Sequence, residues 1–324
     1  MSKIKVGVIG VGYLGKFHAQ KYAKMPHVDL VGVADINKEN VEKVALDCGT
    51  KAFTNFRDLF GQIDAASIVV PTELHYSVAR DCLENNIDVL IEKPITYNLE
   101  QAEELLVVAK NRNLLIQVGH LERFNPVVLA IRDMIQRPVF IESHRLSPYK
   151  GRGIDVSVVL DLMIHDIDII RNFVQSDVKW IQAAGVPVIC SDVDIANARL
   201  EFEQGCIANV TASRISMKEE RKLRIFQKDA YVSVDFATKD ITCIRRNENV
   251  TDSIIPGMEI QKLHFDEGDA LNAEIESFLN CVQQRTTPEV PGQAGRDALA
   301  IAIDIMAQIK TRSERLEKME TMTL

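Results

Sequence analysis

Residues 4–15, IKVGVIGVGYLG, decide the fold, because they join a buried strand to a glycine-rich turn. The apolar run at 6–9 is typical of a strand that is buried on both faces. It leads into a G-x-G-x-x-G pattern made by Gly10, Gly12 and Gly15. The first glycine allows a tight turn, the second lets the backbone approach a pyrophosphate, and the third lets the next helix lie close to the strand. The stretch predicts a strand, turn and helix that bind a dinucleotide.

An acidic residue follows at the distance that this interpretation requires. The helix predicted at about 13–25 would point its N-terminal amides, near Tyr13 and Leu14, at the phosphates. A second apolar strand, DLVGVAD, ends in Asp35, 20 residues after Gly15. A carboxylate there accepts hydrogen bonds from a ribose diol and would repel a 2′-phosphate, so NAD is favoured over NADP. The alternative is a structural turn followed by an unrelated aspartate.

Composition limits the class of protein. A chain of 324 residues is long for one core, so two domains are expected. The net charge of −8 argues against a nucleic-acid binder, and no apolar segment is long enough to suggest a membrane span. The N-terminus enters the first strand without the cleavage region of a signal peptide. Six scattered cysteines without a C-x-x-C pair favour reduced thiols, no zinc site and a cytoplasmic location.

Strands and helices alternate strictly up to about residue 121. This alternation predicts a parallel, doubly wound sheet with helices on both faces, a Rossmann domain over 1–121. In such sheets, ligands bind beyond the carboxyl ends of the strands. Five candidate segments lie at predicted carboxyl ends, namely 10–15, Asp35, 71–75, 92–94 and 119–120.

Two of these segments carry further candidates for the cofactor site. Pro71, Thr72 and His75 follow the predicted strand ASIVV, and Glu92 and Lys93 end the predicted strand IDVLIEK. Lysine is unusual at a buried strand end unless it meets a partner or a ligand. A solvated lysine where the strand leaves the sheet is the alternative interpretation.

The pattern changes in the second half of the chain. Several alternating strands follow one another between 178 and 246, with few helices among them. This predicts a second domain over 122–324, of α+β class, built on a mainly antiparallel open sheet. Two closing helices are expected at about 269–284 and 294–310. Because an uncovered apolar sheet face is rare on a monomer, we expect a dimer or tetramer formed through this sheet.

A predicted helix at 156–174 carries Asp161, His165 and Asp168 among apolar residues. Asp161 and His165 are four residues apart and therefore share one helix face. A neutral imidazole can take a hydroxyl proton at neutral pH, and a nearby carboxylate can orient the ring or the substrate. A buried His–Asp pair that only stabilises packing is the alternative. A metal site is disfavoured because no second ligand cluster has suitable spacing.

Four further residues are candidates for substrate binding. Arg123 lies near the predicted domain boundary and would either clamp an anionic substrate or lock the junction between the domains. Tyr149, Lys150 and Arg152 lie on the loop before the predicted helix. These side chains would suit a diphosphate, and a solvated loop is equally compatible with the sequence.

Together these residues resemble the glucose–fructose oxidoreductase, inositol dehydrogenase and rhizopine-catabolism family, Gfo/Idh/MocA. The likeness spans nearly the whole chain and rests on the glycine turn, His18, Asp35, Pro71-Thr72 with His75, Glu92-Lys93-Pro94, and Asp161-x-x-x-His165-Asp166-x-Asp168. The resemblance implies an NAD(P)-dependent dehydrogenase of a sugar or cyclitol. It also implies that Lys93 and His165 are catalytic and that Asp161 positions substrate or nicotinamide. The glycine that the family often has shortly before the helical aspartate is absent from VSVVLD (156–161).

Three segments, 119–128, 142–169 and 194–214, look like the branch of the family that acts at C3 of UDP-N-acetylglucosamine. In that branch, the resulting 3-keto sugar can be converted by an aminotransferase for lipid A. The resemblance thus implies hydride transfer from C3 to NAD, with His165 as base and Lys93 bound to the same oxygen. The alternatives are a dehydrogenase of a UDP-sugar acid, a free sugar or a cyclitol such as inositol, and a non-catalytic NAD-binding sensor.

Overall fold

The computed structural model describes residues 3–149, 151, 156–250, 253–266 and 268–323. It contains two compact units. The first runs to Phe124 and includes Asp269–Leu299, and the second comprises Asn125–Gly268 together with the chain from Ala300 onward. The predicted boundary at 121/122 lies close to the first crossing between the units. The prediction of two contiguous domains did not include the return of the chain to the first unit.

Strands and helices alternate in the first unit. The strands are β1 (Ile4–Ile9), β2 (Val28–Ala34), β3 (Lys51–Phe53), β4 (Ala65–Ile68), β5 (Asp88–Glu92) and β6 (Ile116–Gly119). The helices between them are α1 (Gly15–Lys24), α2 (Lys38–Cys48), α3 (Thr72–Glu84) and α4 (Leu99–Arg112). The strand order is β3-β2-β1-β4-β5-β6, and all neighbours are parallel. This is the order of a doubly wound dinucleotide-binding sheet, so the predicted Rossmann fold is confirmed.

The register of this sheet brings the carboxyl ends of its strands side by side. The terminal pairs are Ile9 with Ala34 and Ile68, Ala34 with Phe53, Ile68 with Ile91, and Glu92 with Gly119. The glycine turn, Asp35, the segment after β4 and Lys93 therefore leave the sheet along one edge.

The second unit is built on an eight-stranded sheet. Its helices are α5 (Pro126–Ile131) and α6 (Ile164–Val174), and a π-helical segment, Val159–Met163, directly precedes α6. Its strands are β7 (Pro138–Leu146), β8 (Val178–Val186), β9 (Ile195–Phe202), β10 (Ile207–Ser213), β11 (Glu220–Gln227), β12 (Ala230–Asp235), β13 (Asp240–Arg246) and β14 (Met258–His264). The order is β14-β13-β12-β11-β7-β10-β9-β8, and only β7 and β10 pair in parallel among the described strands. The predicted mainly antiparallel sheet is confirmed.

Two helices complete the chain. The apolar face of α7 (Ala270–Gln284) lies in the core of the first unit, where Ile275, Phe278 and Leu279 join Val6 and other residues of the parallel sheet. Burial of this face explains why the chain returns to the first unit. The last helix, α8 (Gly292–Thr323), extends well beyond the predicted end at about 310. Its last residues are rich in good helix formers and contain no glycine or proline, so nothing in them ends the helix.

None of the helices, as far as the chain is described, has both the length and the apolar composition needed to cross a membrane.

Candidate active site

The three glycines after β1 meet three different steric constraints. Gly10 has a φ of +85°, and a Cβ there would lie 2.5 Å from the carbonyl oxygen of Val69. A Cβ on Gly15 would lie 1.8 Å from the carbonyl oxygen of Gly10. A Cβ on Gly12, in contrast, would meet no atom within 4 Å. Gly10 and Gly15 are thus required by the protein itself, whereas Gly12 faces open space that a pyrophosphate can fill.

This difference gives a prediction. Gly12→Val should weaken NAD binding by tenfold or more and leave the melting temperature nearly unchanged, because the added side chain enters only the space for the ligand. Gly15→Ala should lower the melting temperature, since its methyl group collides with the backbone. Calorimetric titration and thermal unfolding measure both effects. Wild-type NAD affinity in Gly12→Val would show that the pyrophosphate does not lie against this turn.

Asp35 follows β2 and is fixed beside the glycine turn. Its Oδ2 accepts a hydrogen bond from the Val11 N–H at 2.9 Å, and its Oδ1 accepts one from the Asn37 N–H at 2.9 Å. The side-chain amide of Asn40 donates to the Val11 carbonyl at 2.8 Å. The carboxylate therefore has a defined position at the edge where a ribose would lie.

A cavity of about 530 Å³ opens at this edge of the sheet. Gly10, Gly12, Asp35 and Pro71 all line it, so the structure brings these predicted residues together. Tyr13 and Leu14 are exposed at the start of α1, next to the same turn. The glycine turn, the acidic residue and the cavity together fit a dinucleotide.

Sequence reasoning missed part of the cavity wall. The missed residues include Asn37, Asn40, Thr54, Phe56 and Arg57. Phe56 and Arg57 begin a 3₁₀ segment after β3, and the Arg57 guanidinium lies 4.8 Å from the Phe56 ring centre and pairs with Asp81. Thr54, Phe56 and Arg57 follow the carboxyl end of the parallel strand β3, and this position is the sequence signal that could have identified them. The signal is weak because β3 has only three residues.

His75 is buried on α3, and its neighbour Leu74 lines the cavity. Its Nδ1 lies 2.8 Å from the Pro94 carbonyl oxygen, and its Nε2 lies 2.9 Å from the Val70 carbonyl oxygen. Burial lowers the pKa of His75, although both carbonyls favour a protonated ring. The ring links the segment after β4, which includes Thr72 at the start of α3, to the segment that follows Lys93.

Lys93 follows the last residue of β5, and the peptide bond from Lys93 to Pro94 is cis. The Glu92 carboxylate is largely buried. Its Oε2 accepts a hydrogen bond from the Lys93 N–H at 3.3 Å, and its Oε1 lies 3.2 Å from His18 Nε2. Burial opposes ionisation of Glu92, but the hydrogen bond and charge of His18, together with the charges of Lys93 and His75, lower its pKa below the usual value. A buried, ionised carboxylate therefore lies next to Lys93.

The second unit carries the other candidate catalytic residues. Asp161 lies in the π-helical segment and His165 is the second residue of α6, so the predicted single α-helix is interrupted. Both side chains are half-buried. Short π-helical segments inside helices occur frequently at functional sites, because they shift side chains out of regular α-helical positions.

Two buried ion pairs stabilise this part of the second unit. Asp166, next to His165, accepts two hydrogen bonds from the Arg145 guanidinium, at 2.7 and 3.2 Å. Asp194 accepts three backbone N–H bonds, from residues 188–190, and lies 3.6 Å from the Arg214 guanidinium. These backbone bonds outweigh the effect of burial and hold the pKa of Asp194 well below its usual range. Arg214 in turn donates to the Val156 carbonyl, just before the π-helical segment.

The remaining predicted residues are placed differently. Arg123 is buried in the first unit and donates to the Glu289 carbonyl of the same unit at 3.1 Å. Tyr149 is exposed in the second unit. Lys150 and Arg152 lie outside the described residues. Asp168 is buried in α6, and no group of three or more metal-ligating side chains occurs within the described part of the chain.

The strand order, the glycine turn and the acidic residue define a dinucleotide-binding domain. The same chain carries a lysine, Lys93, and a histidine, His165, whose side chains can take part in proton transfer. Residues 4–120 match the model of an oxidoreductase family with an NAD-binding Rossmann fold, and residues 134–233 match the C-terminal domain of the same family, Gfo/Idh/MocA. The chain belongs to the Gfo/Idh/MocA oxidoreductase family. Its cofactor is accordingly NAD, as predicted.

Several characterised relatives are similar over most of the chain. UDP-N-acetylglucosamine 3-dehydrogenase from Acidithiobacillus ferrooxidans is 36% identical over 316 residues, which cover 97% of this chain and 100% of that protein. A structure of that enzyme superposes with a TM-score of 0.90 and covers 96% of this chain and 99% of its own. The scyllo-inositol 2-dehydrogenase (NAD(+)) of Bacillus subtilis is 26% identical over 308 residues, with 89% of each chain covered. The scyllo-inositol dehydrogenase of Lactobacillus casei, with bound NAD(H) and scyllo-inositol, is 21% identical and shares the fold, with a TM-score of 0.78 and 96% and 98% of the two chains covered.

Proposed function

We propose that this protein oxidises the C3 hydroxyl of UDP-N-acetylglucosamine with NAD and forms the 3-keto sugar nucleotide. The observation that carries this proposal is the likeness to the Acidithiobacillus enzyme over the full length of both chains. A substrate-binding domain that had been exchanged or lost would not match in this way. The product would be a precursor of lipid A or of a surface polysaccharide, which an aminotransferase can use.

The first unit supplies the cofactor site. When bound, NAD accepts a hydride, and the protein supplies position and electrostatics. The glycine turn would hold the pyrophosphate against the N-terminus of α1, and Asp35 would accept the ribose hydroxyls. Since the Asp35 carboxylate would repel a 2′-phosphate, NAD is preferred over NADP.

Lys93 and His165 are the proposed catalytic pair. His165 takes the proton of the reacting hydroxyl as general base. The Lys93 ammonium donates a hydrogen bond to the same oxygen and stabilises the negative charge that develops there. Asp161 orients the hydroxyl or the imidazole. Tyr149, Lys150 and Arg152 remain the proposed contacts of the diphosphate, while Arg123 is assigned to packing in the first unit.

The test is NADH formation by the purified protein on a panel of substrates. We expect turnover of UDP-N-acetylglucosamine and much slower turnover of a UDP-sugar acid, free N-acetylglucosamine and inositol. Faster oxidation of inositol would reassign the protein to the cyclitol dehydrogenases. Tight NAD binding without turnover of any substrate, together with a stable protein partner, would instead support the sensor alternative.

We also propose a dimer or tetramer formed through the eight-stranded sheet. Phe140, Phe226 and Tyr231 form a row of half-buried aromatic rings across β7, β11 and β12, with ring centres 5.6 and 5.0 Å apart. Phe226→Glu should therefore convert the oligomer to monomer in sedimentation at micromolar concentration, while Val107→Glu on exposed α4 should leave it intact. A monomeric wild-type protein would refute this proposal.

The proposed location is the cytoplasm. All six cysteines are free thiols, which is typical of proteins in reducing compartments.

A further inference from the structure

A buried polar cluster lies behind Lys93, inside the first unit. The Ser67 hydroxyl lies 3.2 Å from His18 Nδ1 and 2.8 Å from the Tyr22 hydroxyl. The other ring nitrogen of His18 contacts Glu92, as described above. His18, Tyr22 and Ser67 are each at most 1% exposed. These contacts form one chain of hydrogen bonds from α1 through β4 to the end of β5.

Glu274 adds a second carboxyl group to this cluster. It lies on α7 and is 0% exposed, and neither carboxyl oxygen has a hydrogen-bond partner among the described residues. An ionised carboxylate without partners is very unfavourable in a protein interior. Burial, and the nearby negative charge of Glu92, raise the pKa of Glu274 well above the usual value.

The charged and titratable groups that interact electrostatically with Glu92 come from four elements. They are His18 on α1, which also contacts the carboxylate, Lys93 after β5, His75 on α3 and Glu274 on α7. The neighbouring strand β6 leaves room for the carboxylate, since a Cβ on Gly119 would lie only 3.0 Å from Glu92 Oε2. Glu92 has hydrogen-bond partners in His18 and the Lys93 N–H, whereas the Glu274 carboxyl group has none among the described residues. Two buried carboxylates that repel each other would not both form, so the one without partners keeps its proton.

We propose that Glu274 keeps its proton at neutral pH, so that Glu92 is the single buried carboxylate of this cluster, which His18 holds beside Lys93. The Glu92 carboxylate places a negative charge beside the Lys93 ammonium, the proposed donor of a hydrogen bond to the substrate oxygen. This inference rests on the proposed role of Lys93 in catalysis. Its first part, the buried proton on Glu274, is independent of any substrate.

The test of the buried proton is the pH dependence of stability in Glu274→Gln. Glutamine imitates the protonated acid but cannot ionise. In the wild type, the raised pKa of Glu274 makes a contribution to stability that is complete below the usual carboxyl pKa and is lost as the pH rises toward the folded-state value. Urea unfolding at pH 5 to 9 should therefore show the variant gaining stability relative to the wild type, by up to about tenfold in the unfolding constant per pH unit. Glu39→Gln, an exposed carboxylate in the first turn of α2, is the control and should show a much smaller trend.

A direct measurement on the wild-type protein tests the buried proton even if Glu274→Gln does not fold. In wild-type protein labelled with carbon-13 at the glutamate carboxyls, one resonance should have the chemical shift of a protonated acid at pH 7. A difference in stability that is independent of pH, or only ionised glutamates in the spectrum, would overturn the proposal.

The pH profile of turnover tests the link to Lys93. Glu274→Gln should leave the profile unchanged, because the acid is already neutral. His18→Leu removes the partner that lowers the pKa of Glu92, so the acid limb of the kcat profile should move to higher pH. His18→Gln, which can still donate a hydrogen bond to Glu92, should reverse part of that shift. A merely structural role for His18 would lower the melting temperature without moving that limb. Absence of turnover in the wild type would contradict the proposed function while leaving the stability result to decide the buried proton.

Discussion

Lys93→Met should lower kcat for UDP-N-acetylglucosamine by about 100-fold to 1000-fold, the range found when a donor to a developing oxyanion is removed. Methionine is similar in length and lacks the ammonium, so the substitution removes the charge and preserves most of the packing. NAD binding should change little, because the glycine turn and Asp35 supply the main cofactor contacts. Stopped-flow measurement of NADH formation and titration with NAD separate these two effects.

Lys110→Met provides the matched control, since Lys110 is exposed in the last turn of α4. It should retain wild-type kcat. If Lys93→Met also retained it, Lys93 would have no part in the chemistry and the buried Glu92 would need another explanation.

His165→Asn should lower kcat by about 100-fold to 10,000-fold, the usual contribution of a general base. The residual rate should rise with pH, because hydroxide then takes the place of the missing base. The control is His264→Asn, an exposed histidine of the same unit, which should behave like the wild type. An undiminished rate in His165→Asn would refute the assignment of the base.

The double variant Lys93→Met/His165→Asn adds information that neither single variant gives. Groups that act on one oxygen as a unit show effects that are far from additive. We therefore expect the double variant to be only slightly slower than the slower single variant. Fully multiplicative losses would indicate that the two side chains act in separate steps.

Much of the first unit could be predicted from local sequence signals. The turn at Gly10–Gly15 depends on steric constraints within a few residues. The position of Asp35 relative to that turn depends only on the lengths of one helix and one strand. Strict alternation then predicts a parallel, doubly wound sheet. For this reason the type of sheet and the edge that carries the site followed from the sequence, whereas the strand order was not predicted.

Other features depend on long-range packing, which periodicity does not reveal. The pattern of α7 predicts an apolar face but does not identify the core that buries it, so the return of the chain to the first unit was missed. Glu274 lies on that helix, and its burial next to Glu92 was missed for the same reason. The strand β14 lies outside the range 178–246 in which the sequence predicted successive strands. It is an edge strand with mostly exposed side chains, so the alternation of apolar and polar residues along it is weak. The π-helical segment at Asp161 has no distinctive sequence signal, and the pattern there predicted an ordinary α-helix.

The measurement that tests the central claim most directly follows the hydrogen at C3 of the sugar. UDP-N-acetylglucosamine carrying deuterium only at C3 is incubated with the protein and NAD, and the reduced cofactor and the sugar nucleotide are analysed by mass spectrometry. The account predicts that each NADH formed contains one deuterium and that the sugar product has lost it as a 3-keto compound. NADH without deuterium would show oxidation at another carbon, and no NADH at all would contradict the proposed dehydrogenase.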